Sequence, residues 1–202
     1  MAIDHVGAVF FPTAYILRFI GRLTLPIMAF LISEGYFHTR NKKKYFFRLL
    51  LFGLISQFPF SMAFSTSSGN IMFTLALSVL ALSVLDSQKF RFFKIPVVCF
   101  LIFLTCFCDW PIFGILYVIF FNRYRGDFRM QCVAFSLISI AMMLVFASSY
   151  LMHPAGLYHL GVFMALPILS LYNGERGHDS RWLFYLFYPL HLLAISVFVY
   201  LL

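Results

Sequence analysis

Apolar runs follow one another along the whole chain, separated by short polar breaks at charge clusters, Pro and Gly. A spanning helix needs about 20 apolar residues, fewer where loops or interfacial aromatics take up its ends. With that ruler the breaks predict helices over 2–17, 23–38, 45–63, 71–86, 92–108, 111–123, 130–150, 156–173 and 182–202. The expected fold class is all-α, a polytopic transmembrane bundle of about nine spans, forming one integral membrane domain over 1–202. The first and sixth spans are short. Pro111 makes the fifth and sixth read as a pair broken at Asp109, Trp110 and Pro111.

The polar positions then orient the bundle. Loops at 39–44, 87–94, 123–129 and 174–181 hold Arg40, Lys42, Lys43, Lys44, Lys89, Arg91, Lys94, Arg123, Arg125, Arg129, Arg176 and Arg181. The intervening breaks at 64–70, 109–110 and 151–155 carry no Lys or Arg. Because Lys and Arg in short loops stay on the cytoplasmic side, this alternation predicts an inside N-terminus and an outside C-terminus. Arg18 and Arg22 break the rule, falling in the first outer connection four residues apart and on one face if that stretch is helical. They read either as snorkelling residues or as a cationic wall facing the bundle interior.

Composition agrees with the pattern: 62% of the 202 residues are hydrophobic and 11% charged, with a mean hydropathy of +0.92. That is the balance a bilayer demands. The formal charge of +8 argues for loop topology and lipid contact rather than nucleic acid, since the basic residues sit in the breaks. The four cysteines, Cys99, Cys106, Cys108 and Cys132, lie in apolar runs and read as small hydrophobes, with no metal or disulfide implied. The N-terminus has no basic region ahead of its apolar stretch, so no cleavable signal peptide is expected.

Ionisable residues inside spans are costly and mark functional candidates, although each taken singly also serves as polar glue between helices. They are Asp4, His5, Glu34, His38, Asp109, His159 and His191. Asp4 and His5 are adjacent, so on a helix they point about 100° apart and do not form a dyad. A partner for His5 has to come from another helix, with Glu34 the nearest in sequence. His5 then serves as a general base, and Asp4 pairs with an arginine or places a second group. Glu34 and His38 share a helical face at the cytoplasmic mouth beside Arg40, Lys42, Lys43, Lys44 and Arg48. That basic run either holds the phosphates of an anionic cofactor or is a topology signal. In the last span Tyr188 and His191 are three apart beside Pro189.

These residues carry a resemblance. The strings IDHVG at 3–7, LRFIGRLTLPIMAFLISEGYFHTRNKKKYFFRLLLFGLISQFPF at 17–60, NIMFTL from 70, DW at 109–110 and WLFYLFYPLHL at 182–192 resemble the TraX family of pilin acetylases. Relatives carry more apolar sequence ahead of the Asp4 and His5 pair, so either the first helix is shortened here or the start of the chain is placed late. The resemblance implies a multi-spanning acetyltransferase of the bacterial inner membrane that uses acetyl-CoA as acyl donor and acetylates the N-terminal amine of pilin or another envelope acceptor. The residues themselves and the resemblance together point to catalysis by Asp4, His5, Arg18, Arg22 and Glu34, and to the donor's phosphates being held by His38, Arg40, Lys42, Lys43, Lys44 and Arg48. Asp109, Tyr188 and His191 then line the acceptor's path. A glycan or lipid O-acetyltransferase would use the same base and donor. A transporter or a non-catalytic assembly factor would also put carboxylates, His and Arg inside spans.

Overall fold

The computed structural model describes residues 1–88, 92–145, 154–175 and 181–201. Lys89, Arg91 and Arg176, counted above among the loop cations, lie outside the described residues. The helices are α1 Ala2–Phe10, α2 Tyr15–Gly21, α3 Thr24–His38, α4 Lys42–Phe64, α5 Ile71–Asp86, α6 Lys94–Leu104, α7 Phe113–Arg123, α8 Phe128–Val145, α9 Ala165–Ser170 and α10 Arg181–Leu201. Tighter 3₁₀ winding covers Thr105–Phe107 and Pro154–Met164. Among the described residues four helical stretches are long and apolar enough to cross a membrane: Tyr15–His38, Lys42–Phe64, Phe128–Val145 and Trp182–Leu201. Ile71–Asp86, Lys94–Phe107, Phe113–Arg123 and Tyr158–Ser170 are shorter apolar helices.

Two expected spans are wound differently. The first is not one helix over 2–17: it breaks after Phe10, and Phe11 takes φ −133° and ψ 61°. Pro12 is the cause, because its ring disfavours helical geometry in the residue before it and it has no N–H to continue the ladder. The span expected over 156–173 is mostly 3₁₀, with α-helix confined to Ala165–Ser170.

The chain folds as two compact units, Met1–Ile27 with Ile55–Thr66 and Ser139–Leu202, and Met28–Leu54 with Ser67–Ile138. In the first unit, glycines set how closely the backbones approach. A Cβ at Gly7 would lie 2.8 Å from Leu17 Cβ, one at Gly21 would overlap Asp4, and one at Gly161 would overlap the Phe19 carbonyl. So α1 lies directly on α2, and α2 lies directly on the 3₁₀ segment. At three residues per 3₁₀ turn, Tyr158 and Gly161 stack on one side of that segment, and this side meets α2. The last helix, α10, packs against α1.

In the second unit α5 is buried nearly all round, including Thr74 and Ser78, as expected of a helix apolar on every face. Ser78 Oγ donates to the Thr74 carbonyl at 2.7 Å, so its hydroxyl costs little there. Buried Asn70 caps α5: its Oδ1 accepts from the Met72 N–H at 3.0 Å, and its Nδ2 donates to the Gly53 carbonyl of α4 at 2.8 Å. Ala81, Val84, Val98, Leu101 and Ile115 close the core between α5, α6 and α7. The expected break between the fifth and sixth spans is a strained turn. Trp110 and Ile112 both have positive φ, 55° and 61°. The Phe113 N–H bonds the Pro111 carbonyl at 2.6 Å, closing a γ-turn on Ile112.

Replacing Gly21 by Ala is expected to wedge α1 from α2 and cost about 1–3 kcal/mol or more, read as a lower melting temperature of the detergent-solubilised protein. Gly126→Asn, where nothing lies within 4 Å of an added Cβ and Asn tolerates the positive φ, is expected to melt close to wild type.

Candidate active site

The residue-by-residue rotation of α1 sends Asp4 and His5 to different neighbours. Asp4 meets α2: Arg18 Nη1 lies 2.8 Å from Asp4 Oδ1 and donates to the Asp4 carbonyl at 3.0 Å. One turn further on, the buried Arg22 gives its backbone N–H to the Arg18 carbonyl. The two guanidiniums share the Tyr158 ring, at 5.4 Å and 4.9 Å from its centroid. Such cation–π contact supports a charge that water does not reach. His159, also buried, follows Tyr158 in the same 3₁₀ segment.

His5 meets α10. Its Nδ1 is 2.9 Å from Nε2 of His191, with the rings 16° from parallel. His191 Nδ1 in turn is 2.7 Å from the Phe187 carbonyl oxygen one turn back. His5 is 7% exposed, and the edge of Phe64 closes over it at 5.0 Å between centroids. Phe187 stacks on His191 at 5.0 Å, and the buried Tyr188 meets it at 5.5 Å. Where sequence proximity suggested Glu34 as the partner of His5, the structure supplies His191. The reason is topological, because α10 packs on α1 and brings together residues 186 positions apart. His191, expected to line an acceptor path, stands beside His5.

In the second unit Glu34 has its own cation. Arg125 Nε donates to Oε1 at 2.8 Å and Nη2 to Oε2 at 3.0 Å, a bidentate geometry of the stronger kind. His38 Nε2 stands 3.3 Å from Arg125 Nη2 and 3.5 Å from Glu34 Oε2, and the guanidinium sits over the Phe37 ring at 3.5 Å. By its place in the sequence Arg125 is a loop topology cation. No local signal marks it as a partner of Glu34, which is 91 residues away.

The basic run is divided. Lys42 Nζ is 2.9 Å from Asp86 Oδ2, the same oxygen that accepts from Tyr36 Oη at 2.8 Å, and it sits over the Tyr36 ring at 4.0 Å. Lys42, expected to hold phosphate, thus fastens the start of α4 to the end of α5. Arg40, Lys43 and Lys44 are exposed, with the Lys44 N–H bonded to Asn41 Oδ1 at 2.9 Å as a cap of α4. Arg48 lies over Tyr45 at 5.6 Å. Asp109 holds the strained turn. Its Oδ1 accepts from the Trp110 N–H at 3.0 Å, its carbonyl from Thr74 Oγ1 at 2.7 Å, and its N–H donates to the Gly69 carbonyl at 2.7 Å.

Helices with outward apolar faces, four of spanning length, and ionised groups matched inside them give this chain the build of a membrane protein. It belongs to the TraX protein family, which it matches over residues 1–199, across both units. It is 33% identical over 215 residues to a protein of Dichelobacter nodosus described as "Probable fimbrial assembly protein FimC, serogroup H1", covering 95% of this chain and 88% of that relative. No solved structure matches it.

Truncating Arg125 to Ala removes the bidentate guanidinium from the buried Glu34 carboxylate and is expected to cost about 3–5 kcal/mol. Adding Glu34→Gln to Arg125→Ala is expected to recover much of that loss. Thermal melts of the two variants beside wild type read the difference.

Proposed function

We propose that this chain is a membrane-embedded acetyltransferase of the bacterial inner membrane, moving the acetyl group of acetyl-CoA to the N-terminal amine of pilin or a similar envelope acceptor. One observation carries the reading: in a single unit, the imidazole of His5 is held 2.9 Å from a second imidazole beside two arginines that share one aromatic ring, the first of them paired with Asp4. Membership of the TraX family and the fimbrial assembly role in the relative's description support the acceptor class.

Acetyl transfer from a thioester needs a base for the acceptor and a positive field where the carbonyl oxygen gathers charge. His5 takes the proton of the attacking amine. Arg18 is committed to Asp4, which sets its position, and Arg22 one turn on stabilises the oxyanion. Asp4, Arg18 and Arg22 together leave net positive charge in an apolar surrounding, where a developing anion is favoured more than it would be in water. The exposed Arg40, Lys43 and Lys44 raise the local concentration of a polyanionic donor at the cytoplasmic face. The membrane arrangement proposed with this chemistry is nine crossings with the N-terminus inside, α1 and the four short apolar helices completing the four long ones.

Membranes carrying His5→Ala are expected to transfer acetyl groups from labelled acetyl-CoA about 10²–10⁴-fold more slowly than wild type, and those carrying Arg22→Ala about 10²–10³-fold more slowly. Wild-type rates in both would remove the assignment. Mass spectrometry of envelope proteins and glycans from a deletion strain separates amine from hydroxyl acceptors, with loss of acetyl from the pilin N-terminus expected. For the membrane arrangement, a periplasm-dependent phosphatase fused after Leu202 is expected to be active, and the same enzyme fused within the Arg40 to Lys44 loop inactive.

A further inference from the structure

The far end of the histidine pair fixes where its protons lie. The Phe187 carbonyl oxygen can only accept, so His191 Nδ1, 2.7 Å away, carries a hydrogen. A neutral His191 then presents a lone pair at Nε2. His5 Nδ1, at 2.9 Å from that atom, has to be the donor. The lone pair of His5 is thereby confined to Nε2. The rings of Phe64, Phe187 and Tyr188 lie against the two imidazoles, which resists the ring rotation that would exchange the nitrogens.

We infer that His191 is a positioning residue that holds His5 as its Nδ1–H tautomer, making Nε2 the proton-accepting atom and His191 the site that receives the resulting charge. The inference rests on the acetyltransferase reading for its chemical use, while the tautomer itself is a property of the pair. In the transfer step, the acceptor nitrogen forms a C–N bond to the acetyl carbon as the carbonyl π pair moves to oxygen. His5 Nε2 takes the proton shed by that nitrogen, and the Nδ1 proton of His5 passes to His191 Nε2. The cation then resides on His191, whose Nδ1–H still points at the Phe187 carbonyl dipole. When the carbonyl re-forms, the C–S bond breaks and its electron pair leaves on sulfur. His5 gives its Nε2 proton to the thiolate, and His191 returns its proton to His5 Nδ1. Protons and charge balance over the cycle with no other donor.

A neutral imidazole suits this place better than a carboxylate. The carboxylate of the adjacent Asp4 is committed to Arg18, and a neutral imidazole accepts from His5 Nδ1 without the desolvation cost of a second buried anion. In a Ser-His-Asp triad the aspartate fixes the histidine tautomer by accepting from Nδ1. Here a second histidine, itself fixed by a backbone carbonyl, fills that role.

The test uses the full chain, labelled with ¹⁵N-histidine and reconstituted in lipid nanodiscs at mildly alkaline pH, with the His5 signals assigned by comparison with His5→Gln. The expected wild-type spectrum shows hydrogen on Nδ1 and none on Nε2 for both His5 and His191. In His191→Leu the His5 signal is expected to move toward the Nε2–H tautomer, with kcat lowered about 10²-fold or more and little change in KM. His191→Gln, whose carbonyl oxygen can accept from Nδ1, is expected to restore part of both. A wild-type His5 with its hydrogen on Nε2, or an unchanged His5 spectrum in His191→Leu, overturns the inference whatever the transfer assay gives. The expected spectrum in a protein whose acetyl transfer survives His5→Ala upholds the pair and removes the acetyltransferase reading. The wild-type spectrum alone decides the tautomer if the His191 variants fail to fold.

Discussion

An ionised side chain inside an apolar bundle has to find an opposite charge at hydrogen-bond distance, because removing it from water costs several kcal/mol that packing alone does not return. Asp4 and Arg18 meet that requirement across the contact between α1 and α2. Their meeting depends on Gly21, since any side chain there would occupy the place of Asp4. The same α2 needs Gly161 on its other neighbour, where a side chain would overlap the Phe19 carbonyl. Backbones that touch let short polar groups reach one another directly, and the cluster of Asp4, Arg18, Arg22 and Tyr158 follows from that closeness.

The histidine pair is a consequence of the same packing. With Asp4 turned toward α2, the helical rotation of about 100° per residue sends His5 elsewhere, and α10 meets it with His191. Aromatic rings lie against both imidazoles, and His5 itself is buried, which strengthens its hydrogen bond and raises the cost of leaving it unmade. A chain of donor and acceptor roles running from the Phe187 carbonyl to His5 Nε2 is therefore set at its far end, since a carbonyl oxygen accepts and cannot donate.

The second unit meets its own charges with the same device. Glu34 is gripped at both oxygens by Arg125, and Lys42 joins Asp86 and Tyr36. The first pair is buried on the carboxylate side and is worth keeping intact. The second is largely exposed and contributes little to stability, but it fixes the start of α4 beside the end of α5. The turn at Asp109 stores backbone strain at Trp110 and Ile112, held in place by a hydrogen bond from Thr74 Oγ1 to the Asp109 carbonyl and by the N–H groups of Ile112 and Asp109 donating to Thr105 Oγ1 and the Gly69 carbonyl.

The all-helical class, most helix boundaries, the break at Asp109 and the family were all legible in the sequence. Apolar run length and Pro or Gly punctuation are local properties, and the motif strings are dense. Pro12 is an equally local signal, and it divides the first span after Phe10. The candidate residues were legible as a set, because a charge in an apolar run is conspicuous by itself. Their partners were not. His5 with His191, Glu34 with Arg125, and Lys42 with Asp86 lie 186, 91 and 44 residues apart, and no spacing rule reaches across separate helices. Sequence proximity offered Glu34 to His5 and left Arg125 among the topology cations. Only the packing of α10 on α1, permitted by nothing local to either helix, decided that a histidine and not a carboxylate stands beside His5, and with it which nitrogen of His5 keeps its lone pair.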